Sequence, residues 1–329
     1  MSLFPAREPL AVCAANAHDE KLRMQCASGG VFSVLAQDFI RKGGVVFGAA
    51  FDRRDWSVHH IAATNEEELE AVRGSKYVQS ETGDAYRMVA KLLREGRRVL
   101  FSGTPCQIAG LRAFLTVSGS LNDEARGRLL LVSLICLSVP SPRAWREFLK
   151  EIPGNVNDVK FRDKTNGWKA YALKVESDSP SVTSETGRIY MRGFLNGLFS
   201  RRSCHDCKFR SLRDGADLMI GDYWDVATRF PAIDDDKGTS LVLVNTPTGA
   251  EAFEAVKSEF AVESSDFAHA VEVNPALVKS APSTAMWCKF FGSLPKRGFT
   301  SAVEHILRPP FKARAKVALV AFLRKLCLI

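Results

Sequence analysis

An α/β protein, with a mixed, largely parallel open sheet, flanking helices and an added β-rich segment, is the fold class the sequence predicts. Three observations carry that expectation. RVLFSG (98–103), QIAGLRAFL, LLLVSLIC (129–136) and a segment opened by Ser141-Pro142 alternate apolar runs with helical spacing, as βαβ units do. LLLVSLIC has no polar alternation, which suits a strand covered on both faces. VKFRDKTNGWKAYALKVES (159–177) does alternate, as solvent-facing β structure would, around the turn signal Asn166-Gly167.

In chain order, Val31, Val34, Leu35 and Phe39 form one helical face over 31–41, just after Ser28-Gly29-Gly30. GVVFGAAFD (44–52) and WSVHHIAAT (56–64) predict a strand pair turning at Arg53-Arg54-Asp55. A short helix is expected over 66–72 and a longer one over 86–95, with Met88, Leu92 and Leu93 offered to the core and Gly96 as its stop. Thr104 and Pro105 suit the N-cap and first position of the helix after strand 98–103. Beyond Pro153 the hairpin-like segment is followed by a helix over 190–199, a cysteine-rich loop and a strand over 216–224. A last strand covers 239–246, with a helix from about 248 to 260. The chain thus divides into an α/β region (1–153), a second region with the cysteine loop and last α/β unit (154–295), and a basic tail (296–329).

Hydrophobic residues make up 46% and charged residues 25%, a balance that excludes a disordered or coiled-coil chain. The formal charge of +8 is uneven. Residues 296–329 hold eight bases against the single acid Glu304, a net +7 that leaves +1 for residues 1–295. A near-neutral body is unlike a nucleic-acid platform, so no nucleic-acid partner is expected. The first twenty residues hold no leader-like apolar run, and no stretch reaches the roughly 18–20 apolar residues that span a bilayer, so a soluble, cytoplasmic protein is expected. In the tail, Leu319, Phe322, Leu323 and Leu326 form an apolar stripe among Lys316, Arg324 and Lys325. Such a helix docks on its own body or a partner, the reading put first here, or lies peripherally on an anionic membrane.

The chemistry resides in the cysteines and two loops. In a cytosolic chain, eight cysteines read as thiols or metal ligands before disulfides. Cys106 opens a helix after one predicted strand and Cys136 ends another. If those strands are parallel neighbours, both thiols stand at the carboxyl edge of a sheet, where open α/β folds bind ligands. Cys204-His205-Asp206-Cys207 lets two more sulfurs reach a common centre. Four cysteines suit zinc or an iron–sulfur cluster equally by count, while Cys136 taken alone reads as a core thiol. Arg201, Arg202, Lys208, Arg210 and Arg213 around the pair are expected to lower thiol pKa values or attract an anionic coenzyme. Ser28-Gly29-Gly30 before a helix suits a phosphate, although a capped flexible turn is the plainer reading. The 73–80 loop, RGSKYVQS, can hold the edge of a heteroaromatic cofactor, and Asp222 and Trp224 either line a site or end a strand. Neither a dinucleotide fingerprint nor a Walker loop is present.

In this order, several blocks resemble the family of coenzyme F420 hydrogenase/dehydrogenase beta subunits, including its 7-hydroxymethyl chlorophyll a reductase-like members. They are Ser28-Gly29-Gly30, Gly74 to Ser80, Gly103-Thr104-Pro105-Cys106-Gln107, Cys136 with Val139-Pro140-Ser141-Pro142, Phe161 to Lys164 with Gly167-Trp168, Cys204-x-x-Cys207, Ala216 to Trp224, and Lys237-Gly238-Thr239-Ser240. The resemblance covers about residues 22–260. It implies an FAD flavoprotein with one 4Fe–4S cluster beside the isoalloxazine, held by Cys106, Cys136, Cys204 and Cys207. FAD contacts are implied for Ser28, Gly29, Gly30, Ser75, Lys76, Tyr77 and Gln79, with Thr104 and Pro105 added at the helix start. Lys76 is the candidate catalytic charge near the ring or substrate. The implied reaction passes electrons or hydride between an external donor, ferredoxin or a reduced deazaflavin coenzyme, and a small organic substrate, with surface polysaccharide metabolism as one setting.

Two departures stand out: Cys136-Leu137-Ser138 replaces the usual Cys-His-Gly, and no ferredoxin-like cysteine run is present, so at most one cluster is housed. The rival reading is a zinc-stapled, non-catalytic protein of an envelope-polysaccharide assembly. Homo-oligomerisation is compatible with either.

Overall fold

The structure is a computed structural model that describes residues 5–179, 184–282 and 285–308. The tail stripe at 319–326 and Cys327 lie outside the described residues. The strands are β1 (Ala11–Ala17), β2 (Val45–Phe51), β3 (Val58–Ala63), β4 (Ser80–Glu81), β5 (Val99–Gly103), β6 (Leu129–Leu134), β7 (Val156–Asp163), β8 (Ala172–Ser177), β9 (Leu218–Asp222), β10 (Ser240–Val244) and β11 (Phe260–Ser265). Nine of them form one sheet in the order β11-β1-β10-β9-β6-β5-β2-β3-β4, and β7 and β8 form a separate antiparallel hairpin. The centre of the sheet, β2-β5-β6-β9, is parallel, with antiparallel strands on its flanks. This is the predicted mixed α/β fold, including the β-rich addition.

Local signals place the elements. Thr104 and Gln107 form a reciprocal capping box around Pro105, which starts helix Pro105–Val117 straight after β5. Gly96, at φ +75°, ends helix Ala85–Arg94. Its N–H donates to the Leu93 carbonyl and that of Arg97 to the Leu92 carbonyl, as a left-handed cap requires. The apolar central strands β5 and β6 are buried on both faces, between helix Val31–Arg41 on one side and helices 85–94 and 105–117 on the other.

Four expectations need correction. Met88 is 45% exposed, and Ala85, Val89, Ala90 and Leu93 make the core face instead. The strand predicted to run to Cys136 ends at Leu134, which puts Cys136 in the loop beyond it. The helix expected over 190–199 spans Ser184–Leu195. The last predicted helix stops at Glu254, and Phe260 begins the edge strand β11. β1 and β11 bury their backbone bonds through partners distant in sequence, and the Ala-rich AVCAANA segment carries little β-propensity of its own.

A second core packs against the hairpin. Trp145, Phe148, Phe161, Tyr190, Phe199, Phe290 and Phe299 are each at most 1% exposed and pack ring against ring. Helices Pro142–Leu149, Ser184–Leu195, Ala285–Arg297 and Phe299–Ile306 supply this layer with β7 and β8. The division drawn at 296 therefore falls inside a helix, and Phe299, Ala302 and Val303 belong to the aromatic core. No helix among the described residues is long and apolar enough to cross a membrane.

Candidate functional site

Because β5, β6 and β9 run parallel, their carboxyl ends open on the same side. There a cavity of about 740 Å³ is bounded by the 28–30 turn, the 74–82 loop, the start of helix 105–117 and the loop after β6. Open α/β sheets bind ligands at this edge. Ser28, Gly30, Ser75, Lys76, Tyr77, Gln79, Thr104, Cys106 and Cys136 all line it, whereas Gly29, Pro105, Cys204 and Cys207 do not.

Gly29 serves the frame instead. A Cβ there would stand 2.3 Å from the Ala15 carbonyl oxygen and 2.6 Å from the Ser240 nitrogen, so only glycine lets the turn lie against β1 and β10. Its N–H donates to Ser240 Oγ at 3.0 Å, and Ser28 Oγ donates to the Thr239 carbonyl at 2.9 Å. Beneath the turn, the buried Lys164 ammonium donates to the carbonyls of Arg23, Ser28 and Lys237 at 2.8, 3.0 and 2.7 Å. Burial pushes its pKa down to about 8. One side chain thus ties the 28–30 turn, the 237–240 loop and the hairpin together.

Lys76 projects from the loop after helix Glu66–Val72. Its stem is half-buried, and its ammonium caps the helix end by donating to the Ala71 and Arg73 carbonyls at 2.9 and 2.6 Å. Burial brings its pKa down to about 7. Deeper in the cavity, His60 is fixed between Ser80 Oγ (2.7 Å) and the Ser102 carbonyl (3.0 Å) and stacked on Phe101. The contact to a carbonyl requires a proton on Nε2, so Nδ1 accepts from the Ser80 hydroxyl. Burial lowers its pKa to about 4, so the ring is neutral near pH 7.

The sequence anticipates one wall only in part: it offers Asp222, Trp224 and Tyr77 as site residues but gives Arg162 and Tyr171 no role. Arg162 makes a two-pronged bond to Asp222 (2.9 and 3.0 Å), donates to the Tyr77 hydroxyl at 3.2 Å and lies 3.6 Å over the Tyr171 ring. Trp168 donates to the same Asp222 and stacks on Trp224 with ring centroids 5.1 Å apart. The alternation around Phe161 reads as a solvent-facing strand. Because the hairpin packs against the cavity, however, Arg162 and Lys164 are buried. The available signal was Asp222 and Trp224 at a strand end.

The four predicted cysteines occupy one neighbourhood. Cys106 Sγ lies 3.2 Å from Thr104 Oγ1, and the Val139 N–H points at Cys204 Sγ from 3.4 Å. Cys136 is close enough to the other three for each of their thiolates to disfavour its own. Among the described residues, however, no three His, Cys, Asp or Glu side chains form a group that could hold a metal ion. The expected lowering of thiol pKa values is also not what the structure shows. Burial pushes Cys136 up to about 12 and raises Cys204, outweighing the nearby Arg210 and Arg201. Cys26, also on the cavity wall, is buried against Ser33 Oγ at 3.0 Å.

Sequence families agree with this frame. The model for the N-terminal part of the coenzyme F420 hydrogenase/dehydrogenase beta subunit matches residues 12–86, and the model for its C-terminal part matches residues 96–269. The chain belongs to this family of beta subunits. It is 22% identical over 241 residues to the F subunit of the F(420)H(2) dehydrogenase of Methanosarcina mazei, a match covering 71% of this chain and 60% of that relative. The chain therefore spans only about 60% of the relative's length. Its fold resembles a chain of the F420-reducing [NiFe] hydrogenase complex from Methanosarcina barkeri, with a TM-score of 0.56 and 15% identity over 89% of this chain and 93% of that one. The family is one of oxidoreductase subunits.

The cavity and cysteines fit the groups the family resemblance implies. A volume of about 740 Å³ lies within the roughly 300–1,000 Å³ of small-molecule and cofactor sites, and the cavity offers glycine-opened backbone and an ammonium free of carboxylates. Four thiols in one neighbourhood, with the buried Arg210 guanidinium held against the Cys136 carbonyl, are by their chemistry a soft, anion-forming donor set suited to iron–sulfur.

Proposed function

We propose that this chain is an FAD- and iron–sulfur-dependent oxidoreductase that moves electrons or hydride between an external reduced donor, a deazaflavin coenzyme or ferredoxin, and a small organic acceptor. The observation that carries the reading is the shared cavity wall: the loops expected to contact a flavin and two of the expected cluster cysteines face one space. When bound, the flavin supplies two-electron hydride chemistry and the cluster one-electron transfer. The chain's residues bind and orient. The start of helix 31–41, just after the 28–30 turn, offers backbone N–H groups to a pyrophosphate. Lys76 presents a cation at the cavity wall, His60 stays uncharged beneath it, and Arg162, Asp222 and Trp224 form a rigid wall for a planar ring. Cys106, Cys136, Cys204 and Cys207 would hold the cluster.

Anaerobic purification tests this directly. The expected protein is brown-yellow, with flavin absorbance at about 450 nm and iron bound in proportion to chain. Replacing Cys204 and Cys207 together with Ser should remove the iron while leaving the flavin. Colourless protein with stoichiometric zinc would refute the proposal.

A further inference from the structure

Arg210 is 8% exposed and sits beneath the loop that carries Cys136. Its guanidinium donates to the carbonyls of Cys136 and Leu137 from one side and of Ala276 from the other, and its Nε has no partner. Other buried arginines have acids: Arg162 has Asp222, Arg23 has Asp235 and Arg73 has Glu66. Arg210 pairs with no carboxylate among the described residues. Carbonyls accept from its two terminal nitrogens but do not neutralise it, and a lone buried charge is strongly unfavourable. The proposed cluster ligands lie on this same loop: Arg210 holds the carbonyls of Cys136 and Leu137, and two residues further on the Val139 N–H points at Cys204 Sγ from 3.4 Å.

We propose that Arg210 is a positioning residue for the four-cysteine centre, pinning the Cys136-Leu137 loop to Ala276 and supplying the buried countercharge that raises the centre's reduction potential. The assignment rests on the iron–sulfur reading above. Four thiolates around iron leave excess negative charge, and one-electron reduction adds another. A fixed cation nearby favours the reduced form more than the oxidised one.

The experiment compares full-length wild type, Arg210→Lys and Arg210→Gln, each purified anaerobically, by iron and flavin content and by the midpoint potential of the cluster in an EPR-monitored titration. Lys keeps the charge without the fork, so Arg210→Lys should hold iron at a potential near wild type. Arg210→Gln should bind less iron, and what it binds should titrate at a more negative potential. If Arg210→Gln forms no cluster but keeps its flavin, rescue of both iron and potential by Arg210→Lys supports the assignment. Wild-type iron and potential in Arg210→Gln would overturn it with the cofactor reading intact. Equal loss of iron in both variants, with flavin retained, would reduce Arg210 to a loop pin and overturn the electrostatic role. Wild-type protein without iron would overturn the cofactor reading and this assignment together.

Discussion

The two ends of β9 handle buried charge in opposite ways. At its amino end the fully buried Asp217 is closed within the chain. Arg126 donates to it, as do the Leu131 N–H at 2.9 Å and the Thr246 hydroxyl at 2.7 Å. At the carboxyl end, where the cavity opens, Lys76, Lys164 and Arg210 are tied to backbone carbonyls, while Arg162 is paired with Asp222. Asp217 is balanced by Arg126 at the first end, whereas Lys76, Lys164 and Arg210 at the second have no carboxylate partner among the described residues. Cations held this way mark the end of the fold suited to an anion from outside. The amino end is stability; the carboxyl end is function.

The largest test of this contrast is Asp217→Ala, which leaves Arg126 without its acid and the Leu131 N–H and Thr246 hydroxyl without their acceptor. Urea unfolding should show a loss of about 3–5 kcal/mol with the cavity's ligand binding unaffected in the fraction that folds. Next comes His60, kept neutral at the cavity. Its pKa in the fold, about 4, lies below the ordinary 6.5, so the unfolded chain takes up the proton first as pH falls. Its contribution is therefore present above about 6.5 and lost as pH falls toward 4, by about 3 kcal/mol. The difference between wild type and His60→Asn in unfolding free energy should change by that amount across this window. A flat difference would mean the ring is not held uncharged.

The smallest expected effect is at Lys76. With a pKa of about 7, its ammonium is charged below that point and neutral above it. Affinity of the flavin-free protein for FAD should weaken as pH rises through about 7. Lys76→Met should bind about tenfold more weakly at pH 6 and lose that pH dependence, as read by fluorescence quenching. Thermal stability of Lys76→Met should fall only slightly, because two helix-end carbonyls lose a donor but no buried acid loses its partner.

Elements whose signals are local were legible. The capping box at Thr104 and Gln107, the Gly96 stop and the unalternating β6 run each form the predicted element from neighbours a few residues away. Nine of the thirteen site residues named from the sequence also line the cavity, because loops at strand ends face ligand space. The misses have a common cause. β1 pairs with β10 and β11 from more than 200 residues away, and its small alanines signal close packing rather than strand propensity. Arg162 and Lys164 alternate as surface residues do, and only the docking of the hairpin on the cavity buries them. Cationic surroundings suggested depressed thiols at the 204/207 pair, but burial raised Cys204 instead.

By itself the sequence determined the strand–helix alternation, the turn and cap positions and the residue types able to bind a flavin or a cluster, because each depends on short-range geometry and side-chain chemistry. Which of those residues share a space, which cations lack acids, and which way each pKa moves were decided only by the tertiary structure. Distance, desolvation and charge balance belong to groups brought together from across the whole chain, and no local pattern encodes them.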